Sequence, residues 1–318
     1  MFWSATLAML DAIAKILIVA FIAGLIMRKK ILTDSDIKGL SEATVKVFLP
    51  AFTFDKVLTT FHPYQMPDWW ILPLIGFVFP VLFMGITALF YLPNVKKHMN
   101  KFPIASLQNV GYLVLPIGQI LYPKRFDEFA IYVFLLILGF NIALWTVGKL
   151  LISYQVGKTE IRLAEMITPP FVANILAMTL VFLGVQKFFP DLLLEPVSIL
   201  GDAAVPLGMF ILGATLGNIS VRKLPPLKDI IKLSFVKYVL MPAVAIFLIL
   251  KSGLAQTDPL LSDVLVIEAS AAPAANLIVI VKKYGGDEQF VAAMILLMYL
   301  MAIIMMPLWL GIWRYLSP

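Results

Sequence analysis

Residues 101–123 read KFPIASLQNVGYLVLPIGQILYP, and residues 260–286 read LLSDVLVIEASAAPAANLIVIVKKYGG. Each is an apolar stretch with a proline near its middle, Pro116 or Pro273, set among small and polar residues. A proline inside a helix lacks an N–H and displaces the carbonyl four residues earlier, which costs about 3 kcal/mol in a soluble helix. Within a bilayer such an interruption survives only where protein or a polar cavity re-satisfies the backbone. Pro116 is expected to free the carbonyl of Tyr112, and Pro273 that of Ala269. The helix-break residues on this reading are Pro116, Pro273 and Gly111.

Working outward, the same punctuation recurs across the chain. Pro50, Pro80 and Pro116 are echoed by Pro206, Pro242 and Pro273, at offsets of 156, 162 and 157 residues. All lie inside or at the edge of long apolar runs. Two halves broken at corresponding places are the signature of a repeat-built transporter, with the substrate held at the interruptions.

Composition agrees. The 318 residues are 61% hydrophobic and 14% charged, against roughly half apolar and a quarter charged in a soluble domain. The excess falls in ten blocks, roughly 4–27, 37–57, 68–92, 101–122, 127–149, 167–189, 196–218, 229–250, 260–282 and 289–314. Blocks of about 20 apolar residues cross a bilayer. The first is too long for a signal-peptide core and lacks a basic segment before it, so it is expected to be a retained span. With no cysteine and only His62 and His98, neither a thiolate nor a histidine metal centre is expected, and no cofactor. The net charge of +6 reflects topology rather than nucleic acid: sixteen Lys and Arg fall in connectors on one side of the ten blocks and six on the other. The positive-inside rule then puts both termini outside and the 150–165 connector in the cytoplasm. Five spans per half is odd, so the second half is inverted. The expected organisation is a five-helix repeat over 1–149, a cytoplasmic connector over 150–166 and an inverted repeat over 167–318.

A broken helix presents a positive N-terminal end and a negative C-terminal end at mid-membrane. The former suits an anion, the latter a cation or proton donor. Gln108, Asn109, Gln119, Asn276 and Ser270 supply neutral polar groups near the two breaks. Amides donate to a carboxylate without burying another charge. They also tie membrane helices together, which is the plainer role for any one of them.

The segments QNVGYLVLPIG (108–118), TPPFVANILAM (168–178), LGDAAVPLGMFILGATL (200–216), APAANLIVIVKKYGG (272–286) and PLWL (307–310) resemble the auxin efflux carrier family. That family includes plant PIN-type auxin carriers and bacterial organic-acid permeases, and the resemblance runs over essentially the whole chain. It implies an all-α membrane protein of ten transmembrane helices in two inverted repeats, of the bile-acid-symporter or NhaA-like type, with scaffold and transport parts. Helices four and nine would cross at their breaks, Asn109 would meet the substrate carboxylate, and the protein would be a homodimer. The long cytoplasmic loop of the plant carriers is missing here, so its regulation does not carry over.

Charges within spans are candidates for function, because each is costly unless paired or hydrated. Glu268, five residues before Pro273, is the candidate for binding a coupled proton or sodium ion; the alternative is that it reaches solvent. Lys46 and Asp202 each precede a matched proline by four residues and are expected to be buried, pairing with each other or meeting substrate. Asp11 and Lys15 are spaced to pair on the first span. Lys237 has no evident partner, Glu42 and Asp55 are expected to face water, and Trp69, Trp70, Trp309 and Trp313 to anchor at the interface.

The sequence thus points to a secondary transporter of a small organic anion, a mono- or dicarboxylate with auxin-like molecules among the candidates, working by alternating access in the cell membrane and not an enzyme. A sodium-coupled organic-anion symporter of the bile-acid type is the alternative, and a channel a weaker one.

Overall fold

The computed structural model describes residues 1–154, 157, 163–219, 221 and 223–317. Lys158, Glu160 and Arg162 of the connector, and Arg222, lie outside the described residues. Helix accounts for almost all of the rest. We label α1 (Phe2–Arg28), α2 (34–60), α3 (Ile71–Leu89), α4 (Phe102–Ser106), α5 (Val110–Leu121), α6 (Phe126–Ser153), α7 (Pro169–Phe182), α8 (Asp191–Gly217), α9 (Leu227–Ser252), α10 (Pro259–Ser270), α11 (Leu277–Tyr284) and α12 (Glu288–Leu316). Among the described residues six of these, α1, α3, α6, α8, α9 and α12, are long and apolar enough to cross a membrane. Their outward faces carry bare Leu, Ile and Phe, such as Phe21 at 66% and Ile199 at 71% exposure. Among the described residues Asp55, Lys149, Asp229, Lys237, Asp263 and Glu268 meanwhile lie inside. That inversion is what a hydrocarbon solvent requires.

Local chemistry sets the ends. Thr33 and Asp36 form a reciprocal capping box at the start of α2, and Asp258 and Asp287 accept the N–H groups of Leu261 and Phe290 to start α10 and α12. A capping acceptor satisfies one of the four donors each helix leaves free. Asp36 is exposed, and the hydrogen bonds from the Thr33 backbone and hydroxyl hold its carboxyl below the usual range.

The prolines behave differently from the matched-kink expectation. Five-residue π-turns end just before Leu49–Pro50, Leu115–Pro116 and Met241–Pro242, at Thr44–Phe48, Val110–Val114 and Val236–Leu240. The widened turn removes the clash between the proline ring and the carbonyl behind it, so the helix continues through the proline. Pro116 therefore sits within helix α5, and Gly111 within its π-turn. The first interruption falls at Leu107–Asn109, seven residues before Pro116, whereas the second, 271–276, contains Pro273. Pro116 and Gly111 are not break residues.

Helices that cross closely do so through small residues. Gly76 and Gly139 let α3 and α6 touch backbone to backbone: a Cβ at Gly139 would stand 1.8 Å from the Pro73 carbonyl oxygen, and one at Gly76 2.0 Å from that of Leu136. Gly213 lies against Ala20, and Gly217 against Gly24, bringing α8 onto α1. Without a hydrophobic drive between helices in lipid, such close approach is what packing energy needs. The second half of α2 packs on α7 and on the first half of α8, while α1 packs on the second half of α8 and on α12. Helices α3, α6, α9 and α12 stand against the two interrupted segments, α4–α5 and α10–α11.

Candidate functional site

The two interruptions meet. Asn109 N–H donates to the Ala272 carbonyl at 2.8 Å, and Ala274 N–H donates to the Leu107 carbonyl at 2.9 Å. Gln108 and Pro273 stand opposite each other in this short antiparallel bridge. Deep in an apolar fold, each broken segment thereby satisfies backbone groups of the other. The pair 108/273 occupies the position that exchanges no hydrogen bond. A proline fits there at no loss of a ladder bond.

Successive residues in extended backbone point to opposite faces, and the crossing has two of them. On one face the Asn109 amide donates from Nδ2 to the Tyr299 hydroxyl of α12 at 2.6 Å, and its Oδ1 accepts from Tyr112 N–H at 3.1 Å. On the other, Gln108 lies beside Glu268 of α10. Glu268 is 4% exposed and Lys237, on α9, is 0% exposed. Neither carboxylate oxygen of Glu268 nor Oε1 of Gln108 has a hydrogen-bond partner. Lys237 Nζ points to Met241 Sδ at 3.8 Å. Gln108 and Glu268 form the polar corner of a cavity of about 360 Å³ whose other walls, from α3, α6 and α9, are apolar. Unpaired buried polar groups cost several kcal/mol each, so this corner is held by the fold rather than chosen for stability.

The other residues marked in the sequence scatter. Ser270 is buried, but its hydroxyl donates back to the Val266 and Ile267 carbonyls. Gln119 and Asn276 are exposed. Lys46 is not buried: it pairs with Glu42 at 3.0 Å, both at half exposure or more, and Asp202 is exposed. The i, i+4 spacing lets Lys46 find a partner one turn back on its own helix, as Lys15 does with Asp11 at 2.5 Å. Asp55, expected in water, is buried beside Lys56, which also pairs with Asp127 at 3.1 Å. Trp309 and Trp313 point inward, donating to the Tyr238 carbonyl and to Asp263.

Three networks that sequence reasoning missed hold the crossing from its ends. Asp263 on α10 accepts from Tyr122 (2.8 Å), Trp313 (2.8 Å) and Arg314 (2.5 Å). Asp229 on α9 accepts from Tyr91 (2.7 Å) and from Lys101, just before α4, at 2.8 Å. Glu165 takes Lys149 of α6 at 2.5 Å and the hydroxyl of Tyr284, the last residue of α11. At Glu165 burial works against the charged form, but the hydrogen bonds from Lys149 and Tyr284 outweigh it and leave the carboxyl below its usual range. The available signal was an acid inside an apolar run, as at Asp263, five residues before Glu268.

No curated protein matches the chain. A family model described as "Membrane transport protein" matches residues 8–310. That span covers both interrupted segments and nearly every helix around them, and the chain accordingly belongs to this family of multi-pass membrane transporters, the auxin efflux carrier family.

Proposed function

We propose that the protein is a secondary transporter of a small organic anion, a mono- or dicarboxylate, working by alternating access about the crossing. The carrying observation is the hydrogen-bonded junction of the two interruptions, with Asn109 at its centre. The substrate carboxylate is received there by the Asn109 amide and the Tyr299 hydroxyl, each able to trade its present partner for a carboxylate oxygen. Helix ends at mid-membrane add partial charge without a buried ion. The ten apolar segments span the cell membrane as two inverted repeats, 1–149 and 167–318, with both termini outside.

The test is Asn109→Ala in proteoliposomes, with radiolabelled indole-3-acetate and malonate as mono- and dicarboxylate probes. Uptake should be abolished while the purified variant keeps the wild-type elution and melting profile. Unchanged uptake sinks the assignment of Asn109. Uptake that vanishes when sodium is replaced by choline shifts the mechanism to sodium symport.

A further inference from the structure

Anion recognition by Asn109 leaves Lys237 and Glu268 unused. Glu268 lies two residues before the end of α10, facing the Gln108 side of the bridge, and Lys237 lies in the π-turn of α9. Both are removed from the surface. Among the described residues Lys237 is the only charged group whose field acts on Glu268, and Glu268 the only one acting on Lys237. They are not joined by a contact ion pair, and both carboxylate oxygens are bare. The cavity walls that α3 and α6 contribute carry no ionisable side chain. On the other face of the bridge the Tyr299 hydroxyl accepts from Asn109.

An uncompensated charge in such surroundings is costly, whereas a charge with its opposite nearby is tolerable. The empty crossing is balanced whether the pair stands as ammonium and carboxylate or as amine and acid. Adding a substrate carboxylate breaks that balance; adding one proton to the pair at the same time restores it. Sodium fits this corner poorly. Hard cations seek several oxygen ligands; the bare acceptors are two oxygens of Glu268 and one of Gln108, and Lys237 is the charged group that acts on Glu268.

We propose that Lys237 and Glu268 form a proton-gated charge pair: protonation of Glu268 frees the field of Lys237 to hold the substrate anion at the crossing. This rests on the transporter reading above and gives it a coupled ion. The balance is one proton gained by the pair for each carboxylate bound, which leaves Glu268 as the acid and Lys237 as the ammonium facing the substrate. A monocarboxylate then moves with one proton and no net charge. Lys237 is a positioning residue that acts through its field, across the bridge from Asn109.

The experiment uses proteoliposomes with an internal pH dye and the same two probes, in sodium-free buffer. Wild-type accumulation of indole-3-acetate should follow an inside-alkaline pH gradient and ignore a potassium-diffusion potential. Glu268→Gln, a mimic of the protonated acid, should keep probe-for-probe counterflow within about twofold yet lose gradient-driven accumulation and the accompanying dye signal. Lys237→Met should lose counterflow at least tenfold, and it should melt no lower than wild type once Glu268→Gln is added. Gradient-driven accumulation unchanged in Glu268→Gln overturns the proposal, while Asn109→Ala inactivity in the same series leaves the transporter reading standing. A strict sodium requirement in the wild type also overturns it. A second measurement needs no probe: the melting temperature in sodium-free buffer should vary between pH 5 and pH 9 in the wild type and lose that part of its variation in Glu268→Gln. An identical pH profile in the two proteins refutes the pair.

Discussion

Gln108 and Pro273 face each other across the crossing as the pair that exchanges no hydrogen bond, flanked by the bonds Asn109 N–H to Ala272 and Ala274 N–H to Leu107. The neighbours of Pro273 are Ala271, Ala272, Ala274 and Ala275, the residue type with the highest helix propensity. The proline therefore keeps open an interruption that its surroundings would close.

Replacing it tests that directly. Pro273→Ala leaves a run of five alanines after Ser270, lowering the cost of a continuous helix by about 3 kcal/mol. The bridge to Leu107 and Asn109 should fray, with faster hydrogen exchange at the Asn109 and Ala274 amides and loss of probe uptake. Pro273→Val, whose branched side chain favours extended backbone, should retain most of both. Equal behaviour of the two variants would remove the special role given to this proline.

Tyr299 offers a milder perturbation of the opposite face. Its hydroxyl accepts from Asn109 Nδ2 at 2.6 Å. In Tyr299→Phe the amide loses a neutral partner worth about 1 kcal/mol, or roughly fivefold in affinity. A rise of that order in the substrate concentration giving half-maximal uptake, with the melting temperature changed by no more than a few degrees, is the expected result. A transporter indifferent to this change would place the anion elsewhere.

Much of this architecture is legible in the sequence, and what is not has identifiable causes. The ten apolar segments all carry helix because span length is set by hydrocarbon thickness. Crossing of the two polar-rich segments was expected and is present in the bonds between 107–109 and 272–274. The break at Pro116 was misplaced because a π-turn absorbs a proline without opening the helix, and periodicity carries no trace of that. Lys46 and Asp202 look buried by hydropathy alone, yet hydropathy does not say which way a helix face is turned. Lys237 was visible as a charge in an apolar run, but its relation to Glu268 links residues on separate helices and needs three dimensions.

Close helix contact gives a prediction about stability. A Cβ at Gly139 would fall 1.8 Å from the Pro73 carbonyl oxygen, whereas one at Gly85 meets nothing within 4 Å. Gly139→Ala should force α3 and α6 apart at a cost of about 1–3 kcal/mol, seen as a melting temperature several degrees lower. Gly85→Ala should be neutral or stabilising by up to about 1 kcal/mol, since alanine is the better helix former. Equal melting temperatures for the two would mean that this crossing is looser than described.

The lock at Glu165 predicts a pH dependence of known sign. Lys149 and Tyr284 hold its carboxyl below the ordinary glutamate value of 4.5, against the pull of its partial burial. A carboxyl depressed on folding contributes stability that is fully present above its unfolded value and is lost as pH falls through the lower folded value. The tie between α6, the connector and the end of α11 should therefore be intact at neutral pH and loosen only below about pH 4.5. Hydrogen exchange over 277–284 should be slow and flat from pH 5 to pH 7 once corrected for intrinsic rates, then rise on acidification. In Glu165→Gln the same segment should exchange faster at pH 7 and lose the acid-dependent rise. A segment equally protected in both proteins at pH 7 would show that the second interrupted helix is held by its packing on α12 rather than by this acid.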